Sequence, residues 1–578
     1  MFFTTYFLAA LLLAAAAIHA APNCPPLGPV FERPTDLSRS QAIRDAVANL
    51  TSTLTARDGD NATTANTTSY SLQVFSISSE RPVFEWYHTA PTVSTLNTTG
   101  VKKVDQNTVY RLGSLTKIFT IYTWLAQDGD KRFNEPITKY IPELAAVADK
   151  AKSDPLTHVA WDDVTIGSLA SQLSGAVRDC NQEFNQSRST ELGFPPLNSS
   201  DSTFPTCGEY PLCNRTEFFK GLVQVYPSYA PFTTPAYTNT GFQILSYALE
   251  SIKGKSFKSM LQESILRPLG LNHTFYDSAP EEDGIIPGNT TKTSWPFQLG
   301  DESPAGNMYS SVADIAALGR SIMSSKLLPL TVTQRWLKPA ALTSELLASV
   351  GYPWGIRRVV IPEENGKRVV DAYTKAGRIG YYTSIMTLLP DYGIGITVLL
   401  AGPEVPGNAH FTLADILGTR LLPALEQAAR EQAEAKYGGI YRSETLNSSL
   451  EIRTQPDRPG LGIFNWVSNG TDMEYISMAL QGGYQPANST VRLYPTGLES
   501  TKDDGSKRIS FKATFEDPSA PSRPNDMFST DCGTWVAFTG VTYGSQPLDE
   551  FIFNIDKDGK VLGVESPALR VTLKKGAK

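Results

Sequence analysis

A hydroxyl and an amine stand three residues apart in Ser114-Leu115-Thr116-Lys117. On the first turn of a helix that spacing puts both side chains on one face. The helix N-terminal field then favours negative charge on the serine oxygen and on the intermediate that follows its attack on a carbonyl. A plainer reading also fits, in which Ser114 caps the helix and Lys117 lies along its wall. Two further segments favour chemistry. Tyr237-Thr238-Asn239 stands directly before an apolar helical stretch from Thr240, where a tyrosine can project into a cleft. Lys375-Ala376-Gly377 ends a β segment and is followed by Arg378-Ile379-Gly380, so the lysine can point inward while a backbone N–H stays available to an oxyanion. Singly these are weak: an isolated tyrosine more often belongs to a core, and K-x-G recurs at Lys436, Lys557 and Lys574.

Other routes to an activated nucleophile are disfavoured. His88, His158, His273 and His410 are widely separated and form no H-E-x-x-H, which argues against a His-rich metal centre. Neither a G-x-S-x-G elbow nor a G-x-x-x-x-G-K-S/T loop is present. The proposed chemistry has all its groups on the chain, so no cofactor is expected. A formal charge of -7 with no basic block makes nucleic acid an unlikely partner.

The elements that must position these residues follow from periodicity. Ser38 to Leu50 reads as an amphipathic helix, and Tyr70 to Ser76 with Val83 to His88 as a β-hairpin. Val109 to Leu112 leads into a helix from Leu115 to about Gln127, ended by Gly129, which puts Ser114 in a strand-to-helix turn. Helices are also expected from Thr165 to Leu173, Thr240 to Ile252, Phe257 to Ile265 (before Pro268) and Val312 to Met323. The Ser/Pro/Asn-rich stretch from Gln182 to Pro211 reads as an irregular flap bordering a cleft. Strands return at Trp354 to Val360, Val369 to Lys375, Tyr381 to Leu389 and Gly393 to Ala401, then a long helix from Leu413 to Ala435. Beyond it come short β pieces at Ser449 to Ile452, Gly462 to Val467, Val491 to Tyr494, Ile509 to Phe515, Trp535 to Tyr543 and Phe551 to Ile555.

With 578 residues the chain exceeds one ordinary core. The division expected is a signal peptide over 1–20, a catalytic domain over 21–435 and a C-terminal β domain over 436–578. The apolar run Phe7 to Ile18 stops at His19-Ala20-Ala21-Pro22, consistent with secretion and cleavage near Ala20, and is short for a membrane span. N-x-S/T sequons begin at Asn49, Asn61, Asn66, Asn97, Asn185, Asn198, Asn214, Asn272, Asn289, Asn447, Asn469 and Asn488, which suggests a glycosylated extracellular protein. Five cysteines leave at least one unpaired within the chain, and Cys207 with Cys213, closing a small loop, is the preferred disulfide.

Taken in order, Ser114/Lys117, Tyr237/Asn239 and Lys375/Gly377 resemble the three motifs of the serine β-lactamase and penicillin-binding protein superfamily. The similarity is greatest to its class C, D-alanyl-D-alanine carboxypeptidase and esterase branch. Arg111 to Thr120 resembles the nucleophile segment, Thr165 to Gly175 the helix before the variable loops, and Pro304-Ala305-Gly306 with the helix after it the family's Pro-Ala-Gly turn. The match covers about residues 30 to 425, and the whole chain is similar to fungal secreted β-lactamase-like proteins. The resemblance implies an α+β fold: a β-lactamase/transpeptidase-like sheet flanked by helices, with a helical subdomain and here an added all-β barrel or sandwich. It implies an acyl-serine mechanism in which Ser114 attacks after losing its proton to Lys117 or Tyr237. Lys375 would hold the electrostatics of Tyr237 and contact substrate, and Asn239 would orient substrate and Lys117. The N–H groups of Ser114 and Arg378, beside Gly377, would form the oxyanion hole. Where relatives often carry a hydroxyl that reads a substrate carboxylate, this chain has Ala376, which cannot donate; Arg378 is the candidate replacement. The expected activity is hydrolysis of a small ester, lactone or amide, esterase-like rather than efficient β-lactam cleavage. Acyl transfer or cyclisation by the same nucleophile, and a non-catalytic binding role, are the alternatives.

Overall fold

Residues 24–60, 64–95, 98–179, 190–196, 213–362, 368–403, 405–482, 490–516, 527 and 533–576 are described by a computed structural model. The helix α1 (Gln41–Gly59) is followed by the hairpin β1 (Ser69–Ser76) and β2 (Ser79–His88), then by β3 (Val109–Arg111) and α2 (Thr116–Asp128). Next come α3 (Ile166–Ala170), α4 (Thr240–Lys253), the single turn α5 (Ser303–Gly306), β4 (Tyr309–Ser311) and α6 (Val312–Met323). The strands β5 (Ala341–Leu342), β6 (Ala348–Val350), β7 (Gly355–Ile361), β8 (Arg368–Ile379), β9 (Tyr382–Leu389) and β10 (Ile394–Ala401) complete one antiparallel sheet in the order β2-β1-β10-β9-β8-β7-β6-β5.

Both faces of this sheet are covered, and every residue of β9 and β10 is buried, Thr383, Ser384, Thr387 and Thr397 included. In β10 the pleat sends Ile394, Ile396, Val398 and Leu400 against Leu50 and Leu54 of α1 and Leu413 and Leu417 of α7 (Ala409–Tyr437). Leu399 and Ala401 face the other way, into a larger core with Phe119, Tyr122 and Leu318. Arg368 at the start of β8 is bonded to Asp391, at 2.7 Å, and to Glu426 of α7, at 3.1 Å, with Tyr392 donating to the same Glu426. This buried group fixes the sheet against α7.

α7 carries on into a second, β-rich unit. Its late residues Ala429, Ala433 and Tyr437 enter a core of Trp466, Phe511, Phe551 and Phe553, together with Val30 and Phe31 from the start of the chain. The strands there are β11 (Gly439–Arg442), β12 (Ser449–Gln455), β13 (Arg458–Ser468), β14 (Thr471–Asp472), β15 (Thr490–Thr501) and β16 (Lys507–Glu516). A two-residue pair, β17 (Thr542–Tyr543) and β18 (Gln546–Pro547), precedes β19 (Glu550–Ile555), β20 (Val561–Ser566) and β21 (Val571–Lys575). The sheet runs β12-β11-β21-β20-β19-β16-β15-β13-β14, and β12 also pairs with β13. Among the described residues no helix is long and apolar enough to cross a membrane.

Several expectations need correction. The segment 257–269 does not stop before Pro268: a π-type turn, Gln262–Leu266, shifts the ladder so that Pro268 falls early in a last short helical turn, and Gly270 ends it at φ 66°. The stretch Trp535 to Tyr543 is not a strand; a helical turn (Thr534–Ala537) and the minimal β17 replace it, and Trp535 is 76% exposed because no strand packs on it. The expected Cys207–Cys213 bridge does not fall within the described residues, and no disulfide joins two of them. Cys207 lies outside the described residues, while Cys24 and Cys213 each carry a bonded sulfur. The flap expected over 182–211 and the leader over 1–20 lie wholly or largely outside the described residues. So do Asn61, Asn97, Asn185, Asn198 and Asn488; Asn49, Asn214, Asn272, Asn289, Asn447 and Asn469 are exposed and Asn66 is half-buried.

Candidate active site

Ser114 occupies a single 3-10 turn, Gly113–Leu115, between β3 and α2. Arg111 pins that turn. Its buried guanidinium donates to the Phe297 carbonyl at 2.7 Å and to Asn307 Oδ1 at 2.9 Å, lies over the Tyr309 ring, and so ties β3 to the segment before β4. From the other side β8 presses directly on the turn. A Cβ on Gly377 would sit 2.0 Å from the Leu112 carbonyl oxygen, and one on Gly113, whose φ is +54°, would sit 2.5 Å from the Arg378 nitrogen. Glycine at both positions lets the backbone of the Ser114 turn meet the backbone of β8. β8 also extends past the expected end at Lys375 to Ile379, so Lys375-Ala376-Gly377 lies within the strand.

Tyr237-Thr238-Asn239 is laced to residues 172–178 ahead of α4. The Thr238 N–H donates to Gln172 Oε1 at 2.6 Å, the Asn239 N–H to the Arg178 carbonyl at 2.7 Å, and Thr238 Oγ1 to the Val177 carbonyl at 2.9 Å. From this anchored turn the Tyr237 hydroxyl donates to Ser114 Oγ at 2.6 Å.

Lys117 is fully buried, and its Nζ lies 3.1 Å from Ser114 Oγ, 2.6 Å from Asn239 Oδ1 and 2.6 Å from the Ala305 carbonyl. A neutral amine has two N–H bonds and one lone pair. The two short contacts take the N–H bonds, which leaves the lone pair on the serine side. Burial pushes the Lys117 ammonium down to about 7, against the opposing pull of Glu302 and Asp179. Lys375, also buried, is pushed down to about 8; its Nζ donates to the Ala376 carbonyl at 2.6 Å and sits 5.6 Å from the centre of the Tyr237 ring.

These residues open onto a cleft of about 490 Å³. Besides Ser114, Tyr237, Asn239, Lys375, Gly377 and Arg378, its lining includes Arg178, Asp179, Glu302 and His410. A serine hydroxyl touched by a buried amine and a phenol, under a strand edge carrying further N–H groups, is suited to attack on a carbonyl and to stabilisation of the resulting oxyanion.

The model of the family described as "Beta-lactamase" matches residues 71–418, more than half of the chain. The chain belongs to the β-lactamase family. A second model, "Beta-lactamase-like-like, C-terminal domain", matches residues 429–577. A β-lactamase-like protein of Arthroderma benhamiae is 31% identical over 592 residues, covering 95% of this chain and 96% of that one. A probable hydrolase of Phoma sp. is 26% identical, covering 86% and 83%. Among solved structures a class C β-lactamase aligns with a TM-score of 0.44 at 15% identity, over 66% of this chain and 96% of that one. The protein is thus a serine-hydrolase-type enzyme of the β-lactamase-like superfamily.

Within this β-lactamase-like cleft, four titratable or charged lining residues were not singled out from the sequence: Arg178, Asp179, Glu302 and, as a site residue, His410. Asp179 accepts from Asn239 Nδ2 at 2.6 Å and so fixes the amide with its oxygen toward Lys117. Arg178 pairs with Asp179 at 3.3 Å and lies over the Tyr237 ring. Glu302 precedes α5, and burial pushes its carboxyl up to about 7. These residues lie just after or before motif segments, or far beyond them, so only the folded chain groups them.

Proposed function

We propose that this enzyme is a secreted hydrolase acting through an acyl-Ser114 intermediate on a small ester, lactone or amide, esterase-like rather than an efficient β-lactamase. The observation that carries this reading is the convergence of Lys117 Nζ and the Tyr237 hydroxyl on one oxygen, Ser114 Oγ. Lys117, as the free amine, takes the Ser114 proton as the oxygen attacks the substrate carbonyl. The N–H groups of Ser114 and Arg378 receive the oxyanion; Tyr237, backed by Lys375, gives its own proton to the leaving group and is reprotonated by the Lys117 ammonium, which returns to the free amine. Water activated by Lys117 or Tyr237 then releases the acyl group. Ala376 offers no hydroxyl for a substrate carboxylate, which supports the preference for esters over β-lactams.

In the same reading residues 1–20 are a removed signal, 21–435 the catalytic domain and 436–578 a β domain. The additional β12–β13 pairing favours a barrel over a sandwich for that domain. The exposed sequons fit an extracellular glycoprotein.

The test is turnover of chromogenic esters and β-lactams by the purified glycoprotein beside Ser114→Ala, with mass spectrometry of the acylated peptide. Ester turnover and an acyl mass on Ser114, both lost in the variant, are expected; intact turnover in Ser114→Ala would overturn the assignment. Products formed with added alcohols or amines separate hydrolysis from acyl transfer.

A further inference from the structure

His410, the second residue of α7, lines the catalytic cleft yet is only 4% exposed, and its Nδ1 is buried with no hydrogen-bond partner. A buried nitrogen without a partner is tolerated better as a lone pair than as an N–H. The neutral ring therefore carries its hydrogen on Nε2. The turn leading into α7 brings Arg378 alongside: a Cβ on Gly407 would lie 3.1 Å from Arg378 Nη1. Burial, with Arg378 and Lys375 nearby, pushes the imidazolium down to about 4, so the ring is uncharged at neutral pH. On the neighbouring strand Ala376 lines the same cleft without a polar side chain.

We propose that His410 reads the substrate, its Nε2–H donating to an uncharged oxygen acceptor, such as a ketone, on the acyl group attached to Ser114. This rests on the acyl-Ser114 reading above and specifies the acyl class. Asp179 and Glu302 line the same cleft beside Arg178, Lys375 and Arg378, so the preference for a neutral acceptor rests on the uncharged donor and not on the charge of the cleft. Arg378 is solvent-exposed, where its attraction is screened.

The experiment compares kcat/KM for 3-oxobutanoyl, butanoyl and hemisuccinyl esters of one nitrophenol. Intrinsic reactivity differences cancel when ratios are compared between enzyme forms. The oxobutanoyl/butanoyl ratio should fall about 3- to 10-fold in His410→Ala, the range for one neutral hydrogen bond. His410→Gln, which keeps a donor, should retain most of it. An unchanged ratio in His410→Ala overturns the proposal, as does a larger loss for the hemisuccinyl ester. A second measurement needs neither turnover nor a change at 410. In Ser114→Ala labelled with ¹⁵N-histidine, the His410 Nε2 signal should shift on adding 3-oxobutanamide and not butanamide; no shift with either overturns the proposal even where the hydrolase reading itself has failed.

Discussion

A Cβ on Gly377 would lie 2.7 Å from the backbone nitrogen of Ser114. No side chain is in the way; the obstructing atoms belong to the main chain of the Ser114 turn, and they cannot rotate aside. Gly377→Ala should therefore separate β8 from that turn and spoil the pairing of the Ser114 and Arg378 N–H groups. A displacement of about 1 Å costs on the order of a hundredfold in rate. Steady-state kinetics should show the loss mainly in kcat, and a wild-type rate would refute the backbone contact.

The pH dependence of ester cleavage should follow Lys117. With its ammonium pushed down to about 7, kcat/KM should rise with pH through that region as the amine loses its proton. Glu302 favours the charged lysine, so Glu302→Gln should move the rise toward lower pH. A pH–rate profile of both forms checks the sign, and a shift toward higher pH would contradict it. Because Glu302 itself titrates near 7, the wild-type limb should be shallower than that of the variant.

Stability should depend on the buried group at the start of β8. Arg368 and Glu426 are each almost wholly enclosed, with side chains 2% and 3% exposed. Breaking a buried pair costs about 3–5 kcal/mol where the remaining charge has no other partner; Arg368 keeps Asp391, at 2.7 Å, so the loss here should lie below that range. Glu426→Leu should show this loss in denaturant unfolding, while Arg39→Ala, removing one half of a solvent-exposed pair with Asp36, should change little.

His88 provides a stability test far from the cleft. Burial lowers its pKa, but the bonds to Asp58 and to the Ala65 carbonyl outweigh that and hold it above the ordinary histidine value. A raised folded-state pKa means the contribution is complete below about 6.5 and is lost as pH rises through the folded value. The unfolding midpoint should therefore fall from pH 6 to pH 9 in the wild type relative to His88→Gln. Parallel curves would show that the charged imidazole contributes nothing.

Much of the grouping of Ser114, Lys117, Tyr237, Asn239 and Lys375 in one cleft was legible because these residues sit beside strong local patterns. Ser114 and Lys117 are placed by a strand followed by an apolar helix, and β9 and β10 are marked by β-favouring residues bounded by turns. Asp179, Glu302 and His410 were not legible as site residues. They are brought together by loop packing and by the first turn of α7, and no short-range spacing encodes that. In the β-rich unit, Trp466 belongs to the core as its alternating neighbours suggest, whereas the equally apolar surroundings of Trp535 mislead because no partner strand covers them.

α7 contributes His410 to the cleft at one end and Tyr437 to the second core at the other, over 29 residues or about 43 Å. One helix is thus shared property, and Val30 and Phe31 return from the far end of the chain to the same second core. A cut after residue 435 would strip the cover from Ala429 and Ala433 and leave two apolar strips facing water. The two halves are distinguishable by sequence but not detachable, and expressing the catalytic half alone would yield an aggregate rather than a smaller enzyme.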